Sequence, residues 1–236
     1  MLKFWRNSQP KRKPLDPIRL DVLRALEKPG CPICRVKREW LERFYIWLLI
    51  QDYYAETMML AFKNSGGLCH THAKRLMEIK SPYTTSVMYR YLVEDALCKL
   101  ASLVQEARKE SAKSPRRKPR RFSSAPTGEC PACVEQHEIE QDGVRELVAM
   151  LDDSAMQDKY RSGHALCMPH CHLAVACASP EIVVVLTETQ MERLEVMQRD
   201  FQEYFRKVDY RFANEPKGDE QTTWQRAIAR FVGDGD

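Results

Sequence analysis

The sequence predicts an all-α fold made of two tandem homologous helical units, each with a Cys3His metal site at helix N-termini. Three observations predict it. Two Cys-Pro-x-Cys motifs and two Cys-x-x-His motifs recur in the same order along the chain. Apolar residues return at steps of three and four through the long segments, the period of an amphipathic helix. No run alternates apolar and polar residues as a half-buried strand does.

The register of the repeat comes first. CPIC at 31–34 returns as CPAC at 130–133, an offset of 99, and LCHTH at 68–72 returns as LCMPH at 166–170, an offset of 98. Ser81-Pro82 returns as Ser179-Pro180, again 98 residues on. Landmarks in one order at one period mark a duplicated structural unit. The chain therefore divides into a basic N-terminal arm and lead-in (1–30), a first metal-binding unit (31–111), a basic Pro-rich linker (112–129), a second metal-binding unit (130–208) and a C-terminal tail with a short helix (209–236).

Within the first unit, Val36, Trp40, Phe44 and Trp47 form one helical stripe behind CPIC. Val134, Ile139, Val144, Leu147, Val148 and Leu151 do the same behind CPAC. Each Ser-Pro pair opens a further helix, because Ser can cap free amides and Pro at the first helical position sacrifices no needed donor. Val93, Leu97, Leu100 and Val104 then follow helical spacing, as do Leu194, Met197, Phe201, Phe205 and Val208. The β-branched IVVVL at 182–186 runs directly into such a pattern and reads as helix. A straight helix over 32–64 would carry Cys69 more than roughly 40 Å from Cys31. The helix must fold back, with Gln51-Asp52 and Asp152-Asp153-Ser154 as the turns, since Asp and Ser are good caps. Gly67 and Gly163 are expected to end helices with positive φ, which sets the next cysteine at a new helix N-terminus, where the dipole favours thiolate.

Composition bounds the function. With 236 residues, 44% of them hydrophobic, the chain can bury a core. Its most apolar run, FYIWLLI at 44–50, is far short of the roughly twenty residues of a membrane span. No apolar stretch of signal-peptide type follows the basic start, so the expectation is a cytoplasmic protein whose nine cysteines bind metal or react rather than pair as disulfides. The formal charge of +4 is unevenly spread: residues 1–13 hold five bases and 113–121 six, with no acid in either, leaving 26 bases against 33 acids elsewhere. Both basic stretches read as unfolded.

The chemistry lies in the repeated motifs. Cys31, Cys34, Cys69 and His72 in the first unit, and Cys130, Cys133, Cys167 and His170 in the second, each supply three sulfurs and one imidazole, the donor set of structural zinc. Two zinc ions per chain are expected, with an iron–sulfur cluster as the alternative cofactor. Register separates ligands from bystanders: His70, Cys171, His172, Cys98, Cys177, His137 and His164 have no counterpart in the other unit. Each site is expected to form within one unit, because a unit that was later duplicated should have folded alone; pairing of one unit's CPxC with the other's CxxH is the alternative.

Catalytic patterns are weaker. A CPxC redox centre of thioredoxin type needs a strand before its first cysteine, and EKPG and APTGE are turn sequences. Haem attachment needs CxxCH, and Arg35 and Val134 occupy that histidine position. The segment Lys113 to Arg121 could neutralise nucleic-acid phosphates without sequence preference, although Lys/Arg/Pro/Ser linkers are commonly just solvated. The reading is a zinc-stabilised helical binding or scaffolding protein with a protein partner, with redox or nucleic-acid-binding function as alternatives.

Cys31-Pro32-Ile33-Cys34, Gly67-Leu68-Cys69-His70-Thr71-His72, Cys130-Pro131-Ala132-Cys133 and Leu166-Cys167-Met168-Pro169-His170 together resemble an uncharacterised bacterial family with tandem CPxC and GxCxxH motifs. The tail KVDYRFANEPKG at 207–218 and RAIARFVG at 226–233 resemble that family's ending. Ala165 stands where the family usually has glycine, and the arginine-rich linker is a second departure. The resemblance implies a bacterial source and supports the eight ligand positions, and it implies no activity.

Overall fold

The structure, a computed structural model, describes residues 17–111, 123, 125–212 and 214–234. The readings of the arm at 1–13 and of Lys113 to Arg121 fall outside them. Among the described residues there are ten α-helices, two short 3-10 turns and no strand. The helices are α1 (Pro17–Ala25), α2 (Pro32–Ile50), α3 (Glu56–Asn64), α4 (His70–Ile79), α5 (Pro82–Ser111), α6 (Pro131–Met150), α7 (Ser154–Ser162), α8 (Met168–Cys177), α9 (Pro180–Val208) and α10 (Thr223–Val232). The starts of α2 to α5 recur as those of α6 to α9 at offsets of 99, 98, 98 and 98. No helix among the described residues is long and apolar enough to cross a membrane.

Local sequence explains the boundaries. Proline opens α2, α5, α6 and α9, where its missing N–H costs nothing. Ser179 caps α9 by accepting from the Ile182 N–H at 3.5 Å. Helices break at both expected turns, although Cys69 does not join Cys31 in one group. Residues Asp52–Tyr54 form a 3-10 turn between α2 and α3, and Asp153 caps α7 by accepting from the Ala155 N–H at 2.8 Å.

The described residues divide into two compact units: those of 17–38 together with those from Ile139 onward form one, and those of Glu39–Glu138 the other. These units do not coincide with the sequence repeats, and their boundaries fall inside α2 and α6. The Glu39–Glu138 unit buries Leu41, Tyr45, Leu48, Met59, Phe62, Leu76, Met88 and Ala132 in one cluster. The other unit buries Val22, Ile33, Val36, Ile139, Leu147, Leu151, Tyr160, Leu166, Leu186 and Met197. The stripe expected for α2 is corrected accordingly: Trp40 and Phe44 are only half-buried and Trp47 is 52% exposed. Residues before and after the boundary in α2 are buried in different units, so no single straight stripe describes that helix. On α5 the expected helix is present, but Val93, Leu97, Leu100 and Val104 stand 49–62% exposed.

The glycine reading is half right. Gly67 has φ +98 and closes the turn after α3 by donating to Phe62 O at 2.8 Å. Gly163 has φ −82; the positive-φ residue there is Ala165, at φ 58. Ala165 is the register partner of Gly67, and φ near 58° is the part of positive-φ space that a β-carbon can occupy at a cost of about 1–2 kcal/mol. At Gly67 a β-carbon would meet Leu92 Cδ2 at 3.1 Å on a backbone farther from that well. Gly67→Ala is therefore expected to destabilise by about 1–3 kcal/mol. Ala165→Gly should change stability by less than about 1 kcal/mol, because relief of the backbone is offset by a freer unfolded chain and a lost buried methyl. Urea unfolding followed by circular dichroism reads both.

Candidate metal centres

All eight expected donors gather into two groups of four. Cys31, Cys34, Cys167 and His170 form the first, and Cys69, His72, Cys130 and Cys133 the second, with donor atoms inside each within 4.8 Å of one another. The expectation that each site draws on one repeat is corrected. The CPxC of each repeat meets the CxxH of the other, and each group lies wholly inside one compact unit. Two helix N-termini therefore meet at each group: those of α2 and α8 at the first, and those of α6 and α4 at the second. Cys167 and Cys69 are the residues that cap α8 and α4. Converging N-termini direct unpaired amides and positive dipole ends at the sulfurs, which favours thiolate.

In the first group His170 Nδ1 stands 2.9 Å from Cys167 Sγ, 3.3 Å from Cys31 Sγ and 3.4 Å from Cys34 Sγ, and Cys34 Sγ lies 3.8 Å from Cys167 Sγ. In the second, His72 Nδ1 stands 3.2 Å from Cys69 Sγ, 3.4 Å from Cys133 Sγ and 3.5 Å from Cys130 Sγ, with Cys69 and Cys133 Sγ 3.8 Å apart. Four ligands at the zinc bond lengths of about 2.3 Å to sulfur and 2.0–2.1 Å to nitrogen would stand about 3.8 Å apart S to S and about 3.6 Å apart S to N in a tetrahedron. The S–S separations match and the imidazole nitrogens stand about 0.1–0.7 Å inside that spacing, so the residues present can hold one ion of that size in each group after a small outward shift.

The imidazoles are oriented for the task. His170 Nε2 donates to Glu140 Oε1 at 2.8 Å, and Lys37 Nζ holds the same carboxylate at 3.0 Å. His72 Nε2 donates to Gln136 Oε1 at 3.1 Å, and Tyr45 Oη donates to the His72 carbonyl at 3.0 Å. With the proton on Nε2, each Nδ1 lone pair faces three sulfurs, the arrangement by which a neighbouring acceptor orients a metal-binding histidine.

The electrostatics ask for a cation. Burial opposes a charged His170, yet the three sulfurs and Glu140 outweigh it and raise its pKa. The His170 hydrogen bond, followed by Lys37, holds the Glu140 carboxyl down to about 2 against the cost of burial. In the second group burial pushes Cys133 up to about 12, with Cys69 and Cys130 adding to it. Cys69 is lowered, because the His72 amide and then the Cys133 and Cys130 thiols outweigh its own burial. The two sulfurs shift in opposite directions, since adjacent thiolates repel one another unless a cation joins them.

The groups differ in cover. Cys31, Cys34, Cys167 and His170 are 2–6% exposed. The C-terminal residues close over them: the Cys31 N–H donates to Asp234 Oδ2 at 2.7 Å, and Arg230, from α10, donates to Leu166 O at 2.6 Å and His164 O at 2.9 Å. Gly233, at φ +97, lies so near that a β-carbon would stand 3.1 Å from Cys34 Sγ. In the second group His72 is buried, Cys69 and Cys130 are half-buried and Cys133 is exposed.

The bystanders fall outside both groups. His70, His172, His137 and His164 are exposed, as are Cys98 and Cys177, while Cys171 is buried. Sequence reading missed Glu140, Gln136, Lys37, Arg230, Gly233 and Asp234. The one signal available was position: Gln136 and Glu140 lie three and seven residues beyond Cys133, on successive turns of one helix. Glu140→Gln is expected to weaken metal binding at the first group by about 10–100-fold, the usual cost of losing such an orienting partner. Competition against a chelator of known affinity measures it.

The fold and these groups define an all-helical protein with two Cys3His constellations capable of holding metal ions. Residues 18–236 match the family of unknown function DUF6062, and the chain belongs to that family. No curated protein and no solved structure matches it.

Proposed function

We propose that each group binds one zinc ion and that the chain is a zinc-stabilised helical binding or scaffolding protein whose metals are structural. The donor separations carry this reading, because sulfurs 3.8 Å apart with an imidazole nitrogen 2.9–3.5 Å away suit a single tetrahedral ion. An iron–sulfur cluster distributes its cysteines over different irons. Four donors within 4.8 Å of one another therefore favour one ion over a cluster.

Metal analysis of the purified protein together with its visible spectrum tests the proposal. Two zinc ions and no colour are expected, since zinc has a filled d shell. Iron with a broad absorption band near roughly 400 nm would replace this reading with the iron–sulfur one.

The binding role is supported by the apolar stripe of Val93, Leu97, Leu100 and Val104 on α5, a row of exposed large side chains of the sort that partners cover. Binding of DNA or RNA through Lys113 to Arg121 is the competing proposal. Removing residues 113–121 is expected to leave helicity and metal content unchanged, because the segment lies outside both groups. Nucleic-acid binding that weakens and loses salt dependence on this deletion would support the competing role.

A further inference from the structure

The two groups share a donor set but not an environment. The first is the more buried: all four ligands are 2–6% exposed, Gly233 and Asp234 pack beside Cys34 and Cys31, and a carboxylate braced by Lys37 holds His170. In the second, Cys133 is exposed, Cys69 and Cys130 are half-buried, and the neutral amide of Gln136 holds His72. Thiolate sulfur is the nucleophile in cysteine chemistry, and its susceptibility to oxidants follows access as well as charge. Equal ligands with unequal access should react unequally.

Building on the zinc reading above, we propose that the second group is an oxidation-labile metal–thiolate site that reacts with hydrogen peroxide. Cys133 Sγ attacks one peroxide oxygen, the O–O bond breaks, and the products are a sulfenic acid on Cys133 and a hydroxide. Cys69 Sγ, 3.8 Å away, then attacks the Cys133 sulfur, forming a disulfide and expelling a second hydroxide. The two sulfurs lose two electrons in all, and the peroxide, with two protons from solvent, becomes two waters. Only Cys130 and His72 remain as donors, too few for a closed zinc site, and the ion leaves. The first group keeps its metal longer because its sulfurs, buried at the wall of a cavity lined by Cys31 and Cys167, offer peroxide far less access than Cys133 does.

The test uses the full chain loaded with zinc. Hydrogen peroxide is added, released zinc is followed with a colorimetric chelator, and cysteine states are mapped by mass spectrometry of peptides. About one of two zinc equivalents should leave at least ~10-fold faster than the other, with a Cys69–Cys133 disulfide formed and Cys31, Cys34 and Cys167 still reduced. A chain carrying Cys98→Ser and Cys177→Ser, which lacks two exposed cysteines outside the groups, should behave identically. Release of both equivalents at one rate, release of neither, or a disulfide joining other cysteines would overturn the inference while leaving the zinc reading standing. A chain with no zinc before peroxide is added would overturn both.

Discussion

His170→Ala is expected to empty the first metal group, removing about one metal equivalent per chain and lowering the thermal midpoint by roughly 6–20 °C. The magnitude follows from what the substitution strands. Three sulfurs buried to 6% exposure or less, together with the Glu140 carboxylate, lose the group that organises them. An unpaired buried charge costs about 3–5 kcal/mol, and each kcal/mol moves the midpoint of a domain this size by about 2–4 °C. Structural zinc contributes apparent free energies of about 10–16 kcal/mol in small peptides, so the loss of the ion itself can only add to the deficit. His72→Ala should empty the second group in the same way. His70→Ala and His172→Ala, at exposed positions outside both groups, should retain both metals and stay within about 0.5 kcal/mol of the parent. Metal analysis and thermal unfolding of the four variants read the contrast directly, and equal metal loss in His70→Ala and His72→Ala would contradict the proposed ligand set.

That contrast also shows how far the sequence could be read. Register alone separates His72 from His70 and His170 from His172. The structure buries His72 and His170 inside the groups and leaves His70 and His172 exposed. Helix starts were legible wherever proline or an acidic cap marked them, as at Pro82, Pro180 and Asp153. The partnering of the motifs was not legible. Both CPxC motifs offer the same chemistry, as do both CxxH motifs, so residue type and spacing fit either pairing. The argument that a duplicated unit once folded alone favoured the wrong one. Glu140, seven residues beyond Cys133, was near a motif, but it serves the histidine of the other group, and Gly233 and Asp234 meet the first group only through the packing of C-terminal residues far from its motifs in sequence. The positive φ of Ala165 was hidden because a neighbouring glycine, Gly163, offered an easier candidate two residues away.

Crossed pairing of the motifs makes the second large prediction, and it concerns pairs of substitutions. Cys34 and Cys167 belong to one group although they lie in different repeats, with their sulfurs 3.8 Å apart. Cys34 and Cys69 belong to different groups although they lie in the same repeat. Removing two ligands from one ion costs that ion once, whereas removing one ligand from each of two ions costs both, because sites without shared partners respond independently. The most direct measurement is therefore the zinc content of two double variants made in the full chain, Cys34→Ser with Cys167→Ser and Cys34→Ser with Cys69→Ser. Crossed pairing predicts about one zinc per chain in the first and about none in the second. The reverse result, none in the first and one in the second, would contradict it and return each site to its own repeat.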